Sequence, residues 1–146
     1  MKMEKGFTLL ELIIIIIIVG ILATLGFTTY TNQIEYSRTA EARAKISFMR
    51  KLAYEYYLKN GSIDSMTSSD LGMNTACQST DYFSYWYTTG YGYQIGARRC
   101  TSGGKSPNSA RVYLFGIVIG ADVSGSVWHC RYNDGASEAC FGYPSW

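Results

Sequence analysis

The pattern of apolar positions begins with one long run near the start of the chain. From Phe7 to Phe27 the only charged residue is Glu11, and most of the others are isoleucine, leucine or valine. A helix of about 20 apolar residues crosses the hydrocarbon core of a bilayer. The run therefore predicts a membrane-spanning helix. Because Lys2 and Lys5 precede the run, we expect the residues before it to lie in the cytoplasm and the chain after it to lie outside.

A second apolar pattern follows the membrane segment. Apolar residues recur at spacings of four and three, typical of one helix face, at Ala42, Ile46, Met49, Ala53 and Tyr56. The opposite face, expected to be mostly solvated, carries Glu35, Arg38, Glu41, Lys45 and Lys59. Asn60-Gly61 is expected to end the helix, because glycine adopts the left-handed conformation without steric cost. One helix over residues 7–60 is predicted, roughly 80 Å long at 1.5 Å per residue, with an apolar half at 7–27 and an amphipathic half at 28–60.

The remainder, residues 61–146, reads as one extracytoplasmic domain built on strands. Strands are predicted at Tyr82–Tyr87, Tyr91–Arg99, Arg111–Ile119 and Ser126–Arg131. The third strand is apolar on both faces, as expected for a central strand with the helix on one side, and Asp122–Gly125 is expected to form the turn after it. Residues 133–146 show no strand or helix periodicity. The predicted class is α+β, with a long N-terminal helix packed on a small antiparallel sheet.

The charge within the apolar run requires a partner. A carboxylate costs at least about 2.5 kcal/mol at the centre of a membrane helix, so Glu11 indicates a function. A cut after Gly6 would create an amine at Phe7 to pair with it. The motif Lys5-Gly6-Phe7-Thr8-Leu9-Leu10-Glu11 resembles the processing site of type IV prepilins and of the pseudopilins of type II secretion.

The resemblance implies a maturation pathway. In that family a prepilin peptidase in the membrane cuts after the position of Gly6 and methylates the new amine, here on Phe7, so residues 1–6 would be a leader peptide. Gly20 and Tyr30 also match family positions, but many members have a proline where this chain has Thr28. Family filaments unwind in this part of the helix, and we expect the same loosening between Gly20 and Thr28 on assembly.

Four cysteines lie in the domain, at Cys77, Cys100, Cys130 and Cys140. Four cysteines allow three pairings, and the sequence alone does not choose among them. The oxidising space outside the membrane lets disulfides persist. The pair Cys130–Cys140 resembles the C-terminal disulfide-bounded loop of pilins more than the pseudopilin pattern. We expect Cys130–Cys140 and Cys77–Cys100.

Other fragments give little support for chemistry. His129 is the only histidine and has no acidic cluster at metal-ligand spacing, so a structural role on a strand is the better interpretation. No nucleophile, base and orienting acid can be assembled around it, and we expect no catalysis, cofactor or metal. The net charge is only +2, which does not favour nucleic acid as a partner. Tyrosine and tryptophan suit sheets and subunit contacts, although Tyr82, Tyr85, Trp86 and Tyr87 could form an adhesive surface.

Together with these features, the resemblance to the prepilin family implies a structural subunit of a type IV pilus-like filament. Apolar helices from many copies would form the filament core, and Glu11 would set the register of assembly. The precursor would be a single-pass protein of the bacterial inner membrane with its C-terminus outside, and lipid, prepilin peptidase and the pilus assembly machinery would be its partners. One alternative is a pseudopilin, which would end in a periplasmic pseudopilus. A membrane-anchored binding domain behind an ordinary signal anchor is the other.

Overall fold

The computed structural model describes residues 7–90, 92–108, 111–134 and 138–146. Its elements are helix α1 (Leu9–Asn60) and strands β1 (Phe83–Thr88), β2 (Tyr93–Arg99), β3 (Tyr113–Ile119) and β4 (Val127–Tyr132). The strands form one antiparallel sheet in the order β1-β2-β3-β4. The predicted α+β class is confirmed, and each strand begins within two residues of its predicted start.

The chain divides into two compact units, Met1–Ser37 and Arg38–Trp146. The described part of the first unit is the beginning of α1. The second unit contains the rest of α1, the sheet and the loops. The predicted divisions at residues 27 and 60 remain predictions.

Within the second unit, α1 packs on the sheet through a stripe of small and medium-sized residues. Thr39, Ala42, Ile46, Met49 and Ala53 are buried there, so the predicted apolar stripe is confirmed and extended by Thr39. Ala42, Ile46, Met49 and Ala53 join one hydrophobic cluster with residues of all four strands, and the half-buried Tyr56 packs against it. The helix ends where expected, because Gly61 has a φ of 74° and its N–H donates to the carbonyl of Tyr57.

The two faces of the sheet differ more than the sequence suggests. On the inner face of β3, Tyr113, Phe115, Ile117 and Ile119 are all buried in the cluster. On the outer face Leu114 and Val118 are only half-buried, while Gly116 between them is buried. The prediction of two apolar faces therefore holds for the residue types, but only the inner face belongs to the main core.

Some charged residues of the helix are not simply solvated, contrary to the prediction. Lys45 Nζ lies 2.7 Å from Asp81 Oδ1, and Glu41 Oε1 accepts a hydrogen bond of 3.3 Å from the N–H of Tyr82. Both partners lie just before β1. The helix therefore holds the start of the sheet by charge as well as by apolar contact.

The segment between α1 and β1 is irregular, as expected, but it contributes to the core. Ile63, Met66 and Leu71 are buried at 0, 5 and 2% exposure. The Tyr87 hydroxyl donates to the carbonyl of Ile63 at 3.0 Å, which fixes the segment to β1. The spacing of these buried residues in the sequence is irregular, because they lie among turns and not in a helix or strand.

The C-terminal tail is ordered by pairing with β4. Ala139 forms an antiparallel bridge with Arg131, and the N–H of Cys130 donates to the carbonyl of Pro144 at 2.9 Å. The tail thus covers an edge strand whose backbone groups would otherwise be open to other chains. A single isolated bridge does not require alternating apolar and polar residues. The sequence of the tail therefore shows no strand pattern.

Two disulfides join the same cysteine pairs that the sequence analysis favours. Cys77 and Cys100 have Cα atoms 5.9 Å apart, and Cys130 and Cys140 have Cα atoms 5.1 Å apart. The first connects the irregular segment to the end of β2. The second fastens the tail to β4 and closes a loop near the C-terminus.

Candidate assembly segment of the helix

The first turn of α1 is closed by a reciprocal pair of side-chain bonds. Thr8 Oγ1 accepts a hydrogen bond of 3.3 Å from the N–H of Glu11, and Glu11 Oε2 accepts bonds of 3.4 Å from the N–H and the hydroxyl of Thr8. This is a capping box, in which two backbone donors left open at a helix start are satisfied. The sequence analysis missed this role of Thr8, although the spacing Thr-x-x-Glu is its signature.

The capping bonds leave part of the Glu11 carboxylate unused. Both bonds to Thr8 use Oε2, and Oε1 makes no hydrogen bond with the described residues. The side chain is exposed. From Phe7 to Ile34 it is the only charged group in the sequence. A carboxylate is favourable near a helix N-terminus, and no described residue donates to its second oxygen.

Beyond the cap, α1 presents apolar side chains on every side. All residues from Leu9 to Phe27 are exposed, including the six isoleucines at 13–18. Burying an isoleucine side chain contributes about 1.5 to 3 kcal/mol, so exposure of this segment to water is strongly unfavourable. By length and composition the helix is able to cross a membrane, and none of its apolar window is buried. Within this chain the segment therefore does not belong to a buried core.

Two threonine hydroxyls, one in this segment and one just after it, form hydrogen bonds within the helix. The hydroxyl of Thr24 donates to the carbonyl of Ile21 at 2.8 Å, and that of Thr29 donates to Leu25 at 3.5 Å. Such bonds remove the cost of placing a hydroxyl in an apolar medium. The segment therefore suits lipid or the interior of a helix bundle.

Two glycines lie in the same segment, at Gly20 and Gly26. Apart from the adjoining residues and the backbone of the same helix turns, no described atom lies within 4 Å of the position that a Cβ would occupy at either one. Each glycine costs about 1 kcal/mol relative to alanine within a helix, so packing inside one chain does not explain them. Small residues let helices of neighbouring chains approach closely. The expected loosening between Gly20 and Thr28 concerns an assembled state and remains a prediction, since α1 is unbroken here.

The sequence-predicted site residues fall into two groups. Phe7 and Glu11 lie together at the start of α1, with Phe7 77% exposed. The predicted cleavage position after Gly6, and the leader before it, lie outside the described residues. The alternative of one adhesive surface does not fit the sheet, because Trp86 faces the outer side of β1 while Tyr85 and Tyr87 face the inner side.

Comparison with known proteins shows the family to which the chain belongs. Residues 1–27 match the family model described as the prokaryotic N-terminal methylation motif. Fimbrial protein Q of Moraxella bovis is 30% identical over 147 residues, which cover 94% of this chain and 91% of that protein. The chain belongs to the type IV pilin family. The prediction of that family is therefore confirmed.

Other relatives match a shorter part of this pilin. The type IV major pilin protein PilE1 of Neisseria gonorrhoeae is 39% identical over 59 residues, covering 40% of this chain and 36% of that protein. A fimbrial protein of Neisseria meningitidis serogroup A is 37% identical over 67 residues, which cover 46% of this chain and 39% of that protein. The match thus spans little more than a third of the length of these relatives.

Proposed function

We propose that this pilin is the structural subunit of a type IV pilus-like filament, and that it polymerises through the first part of α1. The observation that carries the proposal is the exposed apolar segment Leu9–Phe27 with one capped carboxylate at its start. A single chain leaves this segment without cover, and copies of the same helix would supply it. The fimbrial and pilin names of the relatives support the same function.

The precursor would be held in the bacterial inner membrane before it assembles. Residues 7–27 would span the bilayer, and residues 61–146 would lie outside, where both disulfides persist. A prepilin peptidase would cut after Gly6 and methylate Phe7, as the match to the methylation motif supports. The pilus assembly machinery would then move the helix from lipid into the filament.

Glu11 would set the register between subunits. After cleavage, the Phe7 amine and Glu11 lie one helical turn apart, so the carboxylate can pair with its own amine or with that of an arriving chain. Pairing between chains selects one stagger, because an unpaired buried charge costs several kcal/mol and a paired one costs far less. The cap supports this role, since it uses only Oε2 and no described residue donates to Oε1.

Filament formation can be tested in a host that lacks its own major pilin but retains the peptidase and assembly machinery. We expect surface filaments that bind an antibody against residues 61–146. The matched control is Ile16→Asp, which places a second charge in the exposed apolar segment and should prevent filament formation. Membrane-bound chain without filaments, despite complete leader removal, would contradict the proposal.

The pseudopilin of a secretion system remains the second candidate. A pseudopilus would stay in the periplasm and would not be recovered by shearing the cell surface. The names of the relatives favour the pilus. Recovery of the chain in sheared surface filaments would support the pilus, and its restriction to the periplasm would support the pseudopilin.

A further inference from the structure

A cleft of about 560 Å³ opens on the outer face of the sheet, opposite the face packed against residues 39–53 of α1. Its size lies within the range of small-ligand sites. We call it the tryptophan cleft. It is lined by Trp86, Gln94, Val118, His129, Arg131 and Trp146.

The cleft is built over a row of paired residues that crosses all four strands. The row runs Trp86, Gly96, Gly116, His129. A Cβ on Gly96 would overlap the Trp86 ring, and one on Gly116 would lie 2.9 Å from the Trp146 ring. The two glycines therefore leave the space that the indole rings occupy.

Trp146 brings a third ring to the row from the C-terminal tail. Its ring centre lies 5.7 Å from that of Trp86 and 5.0 Å from that of His129, on which it stacks at 20°. The His129 ring is positioned by a polar contact with the tail, since its Nδ1 lies 2.9 Å from the carbonyl oxygen of Ser145. The result is a fixed aromatic surface on the outer face of the sheet.

Two hydrogen-bond donors of the cleft have no acceptor in the part of the chain that the structure describes. Arg131 Nε and Trp146 Nε1 are both buried, and neither has a hydrogen-bond partner among the described residues. A buried donor without an acceptor is destabilising and calls for an explanation. Both residues line the same cleft, so a ligand that supplies oxygen acceptors could satisfy both.

The charge on this face indicates the sign of the ligand. The strand residues that face outward are Ser84, Trp86, Thr88, Gln94, Gly96, Arg98, Leu114, Gly116, Val118, Val127, His129 and Arg131. Two arginines and one histidine are the ionisable residues of this set, and it contains no carboxylate. Arginine binds carboxylates with charge-assisted hydrogen bonds, often in pairs.

We propose that the tryptophan cleft binds an acidic sugar unit, a pyranose ring that carries a carboxylate, such as a uronic or sialic acid. The carboxylate accepts from Arg131 and Trp146, and the apolar face of the ring lies against the indole rings. An inorganic anion would leave the aromatic surface unused, and a neutral sugar would supply oxygen acceptors but no negative charge to pair with the Arg131 guanidinium. The inference goes beyond filament formation, because every residue of the cleft lies in the sheet or the tail.

Binding can be measured by tryptophan fluorescence on the purified full-length chain in detergent. At about 150 mM salt, which screens distant charges, we titrate sodium glucuronate and sodium N-acetylneuraminate, with glucose and sodium acetate in parallel. At least one acidic sugar should saturate with a Kd on the order of 1 mM, and glucose and acetate should bind at least about tenfold more weakly.

Variants separate the cleft from the rest of the outer face. Arg131→Gln should weaken acidic-sugar binding roughly 10- to 100-fold, the loss expected for a hydrogen bond to a charged group. Arg98→Gln makes the same charge change on the same face outside the lining, and binding should stay within about twofold. Trp146→Phe keeps a ring but removes the N–H donor, so it should also weaken binding if Arg131→Gln does not fold.

Three results would overturn the proposal. The first is the absence of saturable binding by either acidic sugar. The second is equal binding of acetate or of glucose, which would indicate a simple anion site or a neutral-sugar site. The third is unchanged acidic-sugar binding in the folded Arg131 or Trp146 variant.

Discussion

Arg99 provides the sharpest test of how the domain is held together. Its side chain is 1% exposed, although arginine is almost never fully buried without partners. The guanidinium donates to the carbonyls of Tyr82 and Cys100 at 3.1 Å each, and to that of Pro107 at 2.9 Å. One side chain therefore joins the start of β1, the end of β2 and the loop that follows β2.

The substitution Arg99→Met keeps most of the volume and removes these donors. Pro107 is exposed and its carbonyl can bind water instead, so the loss falls mainly on the bonds to Tyr82 and Cys100. At about 1.5 kcal/mol for each of two bonds to a charged group, the free energy of unfolding should fall by about 3 kcal/mol. For a domain of about 100 residues, this corresponds to a Tm lowered by roughly 10 to 20 °C.

The assay is thermal unfolding of the full-length chain in detergent, followed by circular dichroism with both disulfides intact. Arg98→Met is the matched control, because Arg98 is exposed on the opposite face of the same strand and should change stability by less than about 0.5 kcal/mol. Arg99→Lys should lie between, since lysine retains the charge but lacks the planar fork. An equal Tm for the two methionine variants would refute the reasoning.

Three further predictions concern maturation, covalent structure and acid stability. Mass spectrometry of the mature chain should find an N-terminal peptide that begins with methylated Phe7, and a peptide that retains the leader would contradict this. Non-reduced peptide mapping should recover Cys130–Cys140, and replacing both cysteines with serine should cost about 2 to 4 kcal/mol; a link from Cys100 to Cys130 would contradict the pairing. Hydrogen bonds from Tyr93 and Ser62 lower the pKa of Asp64, so their contribution to stability is present above its unfolded-state pKa and is lost as pH falls through the lower folded-state value. Tyr93→Phe should therefore destabilise the domain more at pH 7 than at pH 2 in denaturant titrations, and an equal loss at both would refute that link.

The elements that the sequence predicted well are those with a repeating pattern. The helix stripe from Ala42 to Ala53 has the 3.6-residue period of a helix, and β3 has the two-residue period of a strand. In each case several residues at a regular spacing support the same prediction. The helix end at Gly61 follows from the backbone freedom of glycine. Family membership rested on the motif around Gly6 and Glu11, which the match to residues 1–27 supports.

Two features that the sequence analysis did not predict, the burial of Arg99 and the position of Trp146, depend on residues that are not adjacent in the sequence. Arg99 is buried because Tyr82 and Pro107 surround it, and nothing next to it in the sequence indicates that. Trp146 lies over β-strand residues that precede it by 17 or more positions, so its place in the tryptophan cleft has no local signal. The capping role of Thr8 was readable from the sequence, since its partner is three residues away.

The most direct test of the assembly claim is the filament count of Glu11→Gln. Glutamine can keep the capping box, so this change removes the charge while the helix start is preserved. With leader cleavage and abundance matched to the wild type, and with Glu55→Gln as a control at an exposed carboxylate of the second unit, filaments are counted by electron microscopy. We expect Glu11→Gln to abolish or strongly reduce filaments while Glu55→Gln retains them. Near-normal filaments from Glu11→Gln would contradict the account and would leave Glu11 as a cap of its own helix.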